Sequence, residues 1–404
     1  MSKFGLDIYD FVDIKENYSS FIPENMIHIC KRKNNSKRQF LFVNRYQGKH
    51  IPVDPVITAR LYTELFERIG VEFSSEKHKG ERVVIVGFAE TATAIGESIA
   101  YLMTLAKTLP VEFVHYLQTS RENYNCPKLF DFSEEHSHAV NQYLYCKDMP
   151  KDYDRVLFIE DEITTGKTIL NFIAEFKKIN SNCKYSVASI LNWQRKDTIK
   201  IFEDNDIDRI YLVSGELKGA VPNIHIEENE VLDYFTVRDA FPSDNGIKPR
   251  EIISTDARVG ISRATFDMPD ISRFSTANNK LLELIEKDDK IMIVGTEEFM
   301  FYPLVMSVIS RLSVSFGFCK DIKFRATTRS PITPSKMVGY EIQDGIVLPS
   351  AYDADRMTYL YNLNEGKDYD KMIVITEKGA TNEFINALSA YCKDYNIKYD
   401  VIFV

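Results

Sequence analysis

The stretch Val156-Leu157-Phe158-Ile159-Glu160-Asp161-Glu162-Ile163-Thr164-Thr165-Gly166-Lys167-Thr168 decides how the chain is read. Four apolar residues form a buried strand, and the acids Glu160 and Asp161 stand at its C-terminal end. A turn rich in threonine and glycine follows, and a helical pattern starts at once. Each part suits a sugar phosphate. The turn and the helix N-terminus offer backbone N–H groups and the positive end of a dipole, which hold a phosphate dianion. Gly166 lets the backbone come close. The hydroxyls of Thr164, Thr165 and Thr168 add donors, and Lys167 opens the helix. Carboxylates at a strand end can accept hydrogen bonds from ribose hydroxyls and oppose positive charge on a sugar ring. A nucleotide-binding loop of the form G-x-x-x-x-G-K-[ST] is excluded, because its first glycine is missing. The bland alternative is an acidic strand end followed by an ordinary capped helix.

Working outward, short apolar runs alternate with helical patterns. Residues 54–69 read as a helix, 82–87 as a strand, 90–107 as a helix and 111–119 as a strand. Residues 121–138 are polar without a clear period. Strands at 155–159, 185–191 and 209–213 and a helix at 167–179 complete the first half. Such alternation implies a doubly wound, mostly parallel α/β sheet with helices on both faces. Ligands in such sheets bind beyond the C-terminal strand ends. Residues 215–250 carry three prolines and an acidic stretch, and read as a connector packed on the first domain. The pattern then restarts. A helix ends at 280–286, strands are expected at 290–294, 322–326, 371–375 and 398–404, and helices at 297–312 and 383–395. The expected domains are therefore 1–250 and 251–404.

The two halves resemble one another. Gly87-Phe88-Ala89-Glu90 matches Gly295-Thr296-Glu297-Glu298, and Thr119-Ser120-Arg121 matches Thr327-Thr328-Arg329, both displaced by 208 positions (87 to 295, 121 to 329). Tyr143-Leu144-Tyr145 matches Tyr359-Leu360-Tyr361, and Arg155 matches Lys371, both displaced by 216 (143 to 359, 155 to 371). One insertion of about eight residues would reconcile the two displacements. Chance agreement between two parallel-sheet domains is the alternative; a duplicated domain with a degenerate second copy is the expectation.

Composition limits the function classes. The chain has 404 residues, 44% hydrophobic and 27% charged, room for two domains. No apolar run reaches the roughly 18 residues that span a bilayer, and Asp7, Asp10 and Asp13 give the start the wrong charge for a signal peptide. A cytoplasmic location and no membrane partner are expected. Six scattered cysteines suggest neither a zinc site nor disulfides. The net charge of −9 argues against nucleic-acid binding. The basic cluster Lys31, Arg32, Lys33, Lys37, Arg38 and Arg45 is either a solvated loop or an anion-binding edge.

With these motifs in place, the sequence resembles the type I phosphoribosyltransferases, whose signature for 5-phosphoribosyl-1-pyrophosphate (PRPP) is four apolar residues, two acids, two variable residues and Thr-Gly-x-Thr. Glu160 replaces the commoner Asp, and Lys167 a frequent Gly. The resemblance implies that Glu160 and Asp161 hold the ribose hydroxyls and that Thr164, Thr165, Gly166, Lys167 and Thr168 bind the 5′-phosphate. Phe88, Ala89, Glu90, Thr91 and Ala92 resemble the loop that cradles pyrophosphate with backbone amides, and Arg121 stands where some members place a pyrophosphate-binding arginine. Residues 121–138 occupy the place of the mobile catalytic loop, with Lys128, Glu134, Glu135, His136 and His138. The two histidines fit contact with substrate or pyrophosphate, a metal, or a solvated loop. Thr328-Arg329-Ser330-Pro331 narrows the resemblance to phosphoribosyltransferases of bacterial tellurium-resistance clusters, which carry a C-terminal TRSP domain and are thought to serve a pathway for a nucleoside-like metabolite.

The resemblance implies Mg2+ as cofactor, PRPP and a base-like acceptor as substrates, and a possible homodimer; no direct metal ligand is assigned. A PRPP-sensing regulator without catalysis is the alternative. In the second half the acids become Thr376-Glu377 and the Thr-Gly-x-Thr turn is lost. Glu298, Thr328, Arg329 and Ser330 remain as a second-domain site, unless Arg329 simply pairs with Glu298. Asn192 and Trp193 end a strand on the ligand face. They are base-binding candidates, with a core tryptophan as the alternative, and residues 45–52, with Lys49 and His50, are a candidate hood over the base.

Overall fold

The computed structural model describes residues 6–33, 39–106, 109–122, 127–132, 142–146, 149–218, 224–236, 261–262, 271–314, 319–364, 367–376 and 381–404. The first part runs α1 (Ile8–Phe11), β1 (Val12–Asn17), α2 (Pro23–Met26), β2 (Ile27–Lys31), β3 (Phe40–Asn44), α3 (Pro55–Phe73), β4 (Arg82–Gly87), α4 (Ala92–Leu105) and β5 (Glu112–Ser120). It continues with β6 (Lys128–Phe132), β7 (Gln142–Tyr145), β8 (Arg155–Ile163), α5 (Lys167–Ile179), β9 (Lys184–Asn192), α6 (Lys196–Asp204) and β10 (Ile207–Leu217). After these come β11 (Phe235–Thr236), β12 (Ile261–Ser262), α7 (Ile271–Leu284), β13 (Lys290–Gly295), α8 (Phe301–Val314), β14 (Asp321–Ala326), β15 (Gly345–Pro349), β16 (Met357–Tyr361), β17 (Lys371–Thr376), α9 (Asn382–Asp394) and β18 (Lys398–Phe403).

Strands buried on both faces have no polar side to turn to water, so they pair in parallel under helices. Strands β10, β9, β8, β4 and β5 do so in that order, with antiparallel strands at both ends: β1 beside β10, and β7 then β6 beyond β5. A second sheet, β14-β13-β17-β18, is parallel throughout. Its order repeats that of β5-β4-β8-β9. The strand ends repeat as well. Ser120 pairs antiparallel with Tyr143, and Thr328 with Tyr359, the positions matched in the sequence. Thr119 Oγ1 accepts the Ala89 N–H at 2.7 Å, and Thr327 Oγ1 accepts the Glu297 N–H at 2.9 Å.

The two sheets are linked by strand pairings that cross residue 250. Strand β11, inside the expected connector, pairs with β15 of the second unit, and β12, beyond it, pairs with β5 of the first. Residues 48–53 lie along the open edge of β14: the Val53 and Phe324 backbones exchange hydrogen bonds at 3.0 and 2.8 Å, and Gly48 O accepts from Ala326 N at 2.8 Å. An unpaired edge carries a row of unsatisfied backbone groups, and this segment covers it. Gly48 has φ +65, and a Cβ there would stand 2.6 Å from the Phe324 ring. Of three apolar clusters among the described residues, one runs through both units, joining Val43, Val53 and Ile85 to Phe324, Ile332, Tyr340 and Tyr361, and the other two lie in the second unit. Among the described residues no helix is long and apolar enough to cross a membrane.

The N-terminal hairpin β2–β3 docks on the second unit too. Lys33 N donates to Pro331 O at 2.9 Å, and the Lys33 ammonium lies 4.3 Å above the Tyr234 ring. Arg45 forks onto Glu341 at 2.9 and 3.1 Å. The described members of the basic cluster thus serve a junction rather than a free loop.

Candidate active site

Strand β8 extends past its apolar run through all three acids, with Glu160 beside Ser189 and Glu162 beside Leu191. Side chains alternate along a strand, so Asp161 faces away from Glu160 and Glu162. Asp161 accepts a hydrogen bond from the Thr91 side chain; burial and the neighbouring Glu162 push its carboxyl up to about 6. The turn then opens. Thr165 and Lys167 are exposed and Thr164 and Thr168 half-buried, while Gly166 is buried at the N-cap of α5 with φ +65. A Cβ on Gly166 would come within 2.7 Å of Phe202 and 3.1 Å of Gln194 Nε2, so only glycine fits the bend. The 13 residues of α5 aim their N-terminal N–H groups at this turn.

The second strand-end loop, residues 88–91, is wholly buried. Its Ala89–Glu90 peptide is cis. Phe88 is a core residue against Phe172 and Phe158, and its N–H donates to Ile159 O at 3.2 Å. The Ala89 N–H is held by Thr119. The expectation that the amides of Phe88 and Ala89 face a pyrophosphate is therefore corrected: both are spent inside the fold. The first N–H groups of α4 have no partner within that helix.

Around Glu90 the two units meet. Its carboxylate takes Lys49 Nζ at 2.7 Å, Arg121 Nη1 at 3.4 Å and the Arg329 N–H at 3.1 Å. Burial by itself would raise the Glu90 carboxyl; Lys49, Arg121 and Arg329 outweigh it and hold it at about 2. Lys49, buried completely, also donates to Glu297 O at 2.7 Å. His50 is buried beside it, and burial and the Lys49 charge push its imidazole down to about 3. Residues 45–52 thus run as turn and bend along the β14 edge and supply a buried ion pair. Glu298 accepts from Ser120 Oγ at 2.6 Å and from the Arg121 N–H at 2.8 Å. Arg329 does not pair with Glu298 but with Glu297, at 2.6 Å, and with Glu122. Thr328 sits on β16 through Tyr359, and its Oγ1 accepts the Ser330 N–H at 3.2 Å.

The base candidates fall elsewhere. Trp193 is fully buried with its ring centroid 5.4 Å from that of Phe42, so it packs the core under the hairpin and has no face left for a base. Asn192 is buried and bonds Gln194 at 3.1 Å. Lys128 is the exposed first residue of β6, with its ammonium 4.0 Å from the Tyr143 ring centre. Residues 128–132 are a strand of a hairpin, not irregular chain, and Phe130 anchors it on Phe172 and Phe176. His136 and His138, with Glu134 and Glu135, lie outside the described residues. Sequence reasoning missed Glu122, Ser350 and Arg356, which join the Arg329 cluster. The only signal was the match of Arg329 to Arg121.

Residues 26–215 match a family described as phosphoribosyl transferase, and residues 255–391 match the TRSP domain that stands C-terminal to that transferase. The first unit belongs to the phosphoribosyltransferases, and the second is its TRSP domain. Among solved structures, an adenine phosphoribosyltransferase of Trypanosoma brucei with AMP, pyrophosphate and ribose-5-phosphate is similar at 15% identity, covering 47% of this chain and 76% of its own, with a TM-score of 0.33. The adenine phosphoribosyltransferase of Saccharomyces cerevisiae matches at 14% identity over 46% and 94%, TM-score 0.32. That of Rhodothermus marinus matches at 14% over 47% and 94%, TM-score 0.32. No curated protein matches the chain.

Proposed function

We propose that this phosphoribosyltransferase uses PRPP and passes its phosphoribosyl group to a base-like acceptor, or runs the reverse reaction. The observation that carries this reading is the open turn of Thr164, Thr165, Gly166, Lys167 and Thr168 at the head of α5, one strand residue-pair beyond Asp161. The turn receives the 5′-phosphate and Asp161 accepts from the ribose hydroxyls, whereas Glu160 stands on the opposite face of β8. Thr91, the α4 N-terminus and Arg121 face the pyrophosphate side. An acceptor nitrogen bonds to C1 as the bond from C1 to pyrophosphate breaks. The electron pair leaves with pyrophosphate, and the acceptor gives up its proton. Catalysis then comes from positioning and charge stabilisation.

Magnesium fits the donor set. The Asp161 carboxyl, pushed up by burial and by Glu162, would gain from a hard divalent cation that binds through oxygen and keeps several waters. Such an ion would supply charge neutralisation for pyrophosphate. The TRSP unit we read as a degenerate copy of the first, on the shared strand order and the matched strand-end pairs. Incubation with PRPP, Mg2+ and a panel of bases, read as pyrophosphate release, tests the function. Release that depends on one base is expected. PRPP binding without release would leave a sensor, and no PRPP binding by calorimetry would end the reading.

A further inference from the structure

The second unit carries a cluster of charge that the reaction above does not use. Glu297 is fully buried beyond β13 and accepts Arg329 Nε at 2.6 Å, Arg356 Nη2 at 3.0 Å and the Ser350 hydroxyl. A second carboxylate reaches the same two guanidinium groups from the other unit. Glu122 Oε1 accepts Arg356 Nη2 at 2.6 Å and also Arg329 Nη2. Arg356 Nε is buried without a partner among the described residues. Beside the cluster, Tyr352 Oη lies 2.5 Å from Thr296 Oγ1 and 3.4 Å from Thr376 Oγ1, at the C-terminal ends of β13 and β17. That is where parallel sheets bind ligands.

The two acids differ in how they are held. Glu297 is locked between strand ends, whereas Glu122 is half-buried and enters on the residue after Arg121. Withdrawing Glu122 frees Nη2 of Arg329 and Nη2 of Arg356 from the carboxylate they share, while Glu297 stays between them and Asp353 lies 3.9 Å from Arg356 Nη1. Arginine forks match planar and tetrahedral oxyanions alike.

We propose that the TRSP unit holds an oxyanion site formed by Arg329, Arg356 and the hydroxyl of Ser350, for a small molecule bearing a carboxylate or a phosphate, and that the Glu122 carboxylate closes it from the first unit. Glu122 follows Arg121, whose guanidinium touches Glu90. A ligand that displaces Glu122 therefore moves the chain next to the pyrophosphate side, and by linkage binding at either place affects the other. The proposal does not depend on the reaction assigned to the first unit.

Titration calorimetry on the full chain with sodium acetate and, separately, inorganic phosphate reads the site. The signal is the component of binding lost in Arg356→Gln. Should that variant fail to fold by circular dichroism, Arg356→Lys, which keeps charge without the fork, takes its place. A saturable Arg356-dependent component is expected in the unmodified chain, and in Glu122→Ala it should be about tenfold tighter, since the internal competitor is gone. Acetate alone would mark a carboxylate ligand, and phosphate alone a phosphate. Absence of an Arg356-dependent component in Glu122→Ala overturns the site. Binding in Glu122→Ala with none in the unmodified chain overturns it too, because Glu122 is then a fixed clamp.

Discussion

Glu298 of the second unit accepts the backbone N–H of Arg121 at 2.8 Å. The counterpart bond runs the other way: Glu90 of the first unit accepts the backbone N–H of Arg329 at 3.1 Å. Donor and acceptor are each displaced by 208 positions (121 to 329, 90 to 298), so matched loops clasp one another across a local pseudo-twofold. Replacing Glu298 with Ala leaves Ser120 Oγ and the Arg121 N–H buried without this acceptor. A loss of about 1.5–3 kcal/mol in unfolding free energy is expected, the scale of a hydrogen bond to a charged group. Urea unfolding with an unchanged midpoint would show that the clasp adds nothing.

The Glu90 carboxyl sets an acid limit on stability. It titrates at about 2 in the fold and near its ordinary value of about 4.3 when unfolded. Between these values the unfolded chain binds the proton first. The Glu90 contribution is therefore complete above about pH 4.3 and lost as pH falls toward about 2. Urea midpoints from pH 7 to pH 3 should fall more steeply in the unmodified chain than in Glu90→Gln. That variant should start lower at pH 7, because it leaves the Lys49 ammonium buried without its carboxylate.

Asp161 behaves oppositely. Its carboxyl is pushed up to about 6, so it protonates just below neutral pH. PRPP affinity should fall as pH drops through about 6, where a charged acceptor is lost. Asp161→Asn should bind PRPP roughly 10- to 100-fold more weakly at pH 7.5 and lose that pH dependence. Calorimetry at several pH values checks both, and equal affinity of the two proteins would remove Asp161 from the ribose site.

Much of the sheet was legible because its signals are local. The apolar runs of β4, β8, β13 and β17 dictate buried strands, and the start of α5 at Lys167 follows from the glycine before it. What stayed hidden depends on distant partners. Nothing near Gly48 announces that it will edge β14, nor near Glu122 that it will meet Arg356. The sequence could not separate the adjacent Glu297, which meets Arg329 and Arg356, from Glu298, which meets Ser120 and Arg121. Trp193 stood at a strand end on the ligand side, yet Phe42 from the hairpin 151 positions earlier (42 to 193) covers it.

Gly166→Ala tests the phosphate turn. Left-handed backbone costs an alanine about 1 kcal/mol relative to glycine, and the new Cβ would press on Phe202. A loss of about 1–3 kcal/mol in stability and a clear loss of PRPP affinity are expected together. Lower stability with unchanged PRPP affinity would place the 5′-phosphate elsewhere.

The cluster shared by the two units, beside two clusters that belong to the second, should make them unfold together. Phe324, Ile332, Tyr340, Ile342 and Tyr361 of the second unit are buried in the same cluster as the strands of the first. Burying each such side chain contributes about 1.5–3 kcal/mol. Five together come to roughly 10 kcal/mol, as much as the whole stability of a typical domain, about 5–15 kcal/mol. Segments cross between the units as well: β12 extends the first sheet from beyond the connector, and residues 48–53 edge the second. A chain ending at residue 218 would expose that core face and lose the second-unit partners of Lys33, Lys49 and Arg45, leaving Lys49 with Glu90. The full chain is therefore expected to unfold in one calorimetric transition, and the shortened chain to be insoluble or to lack a cooperative transition. Two resolved transitions in the full chain, or a shortened chain that folds and still binds PRPP, would show that the first unit stands by itself and that the junction is a later convenience.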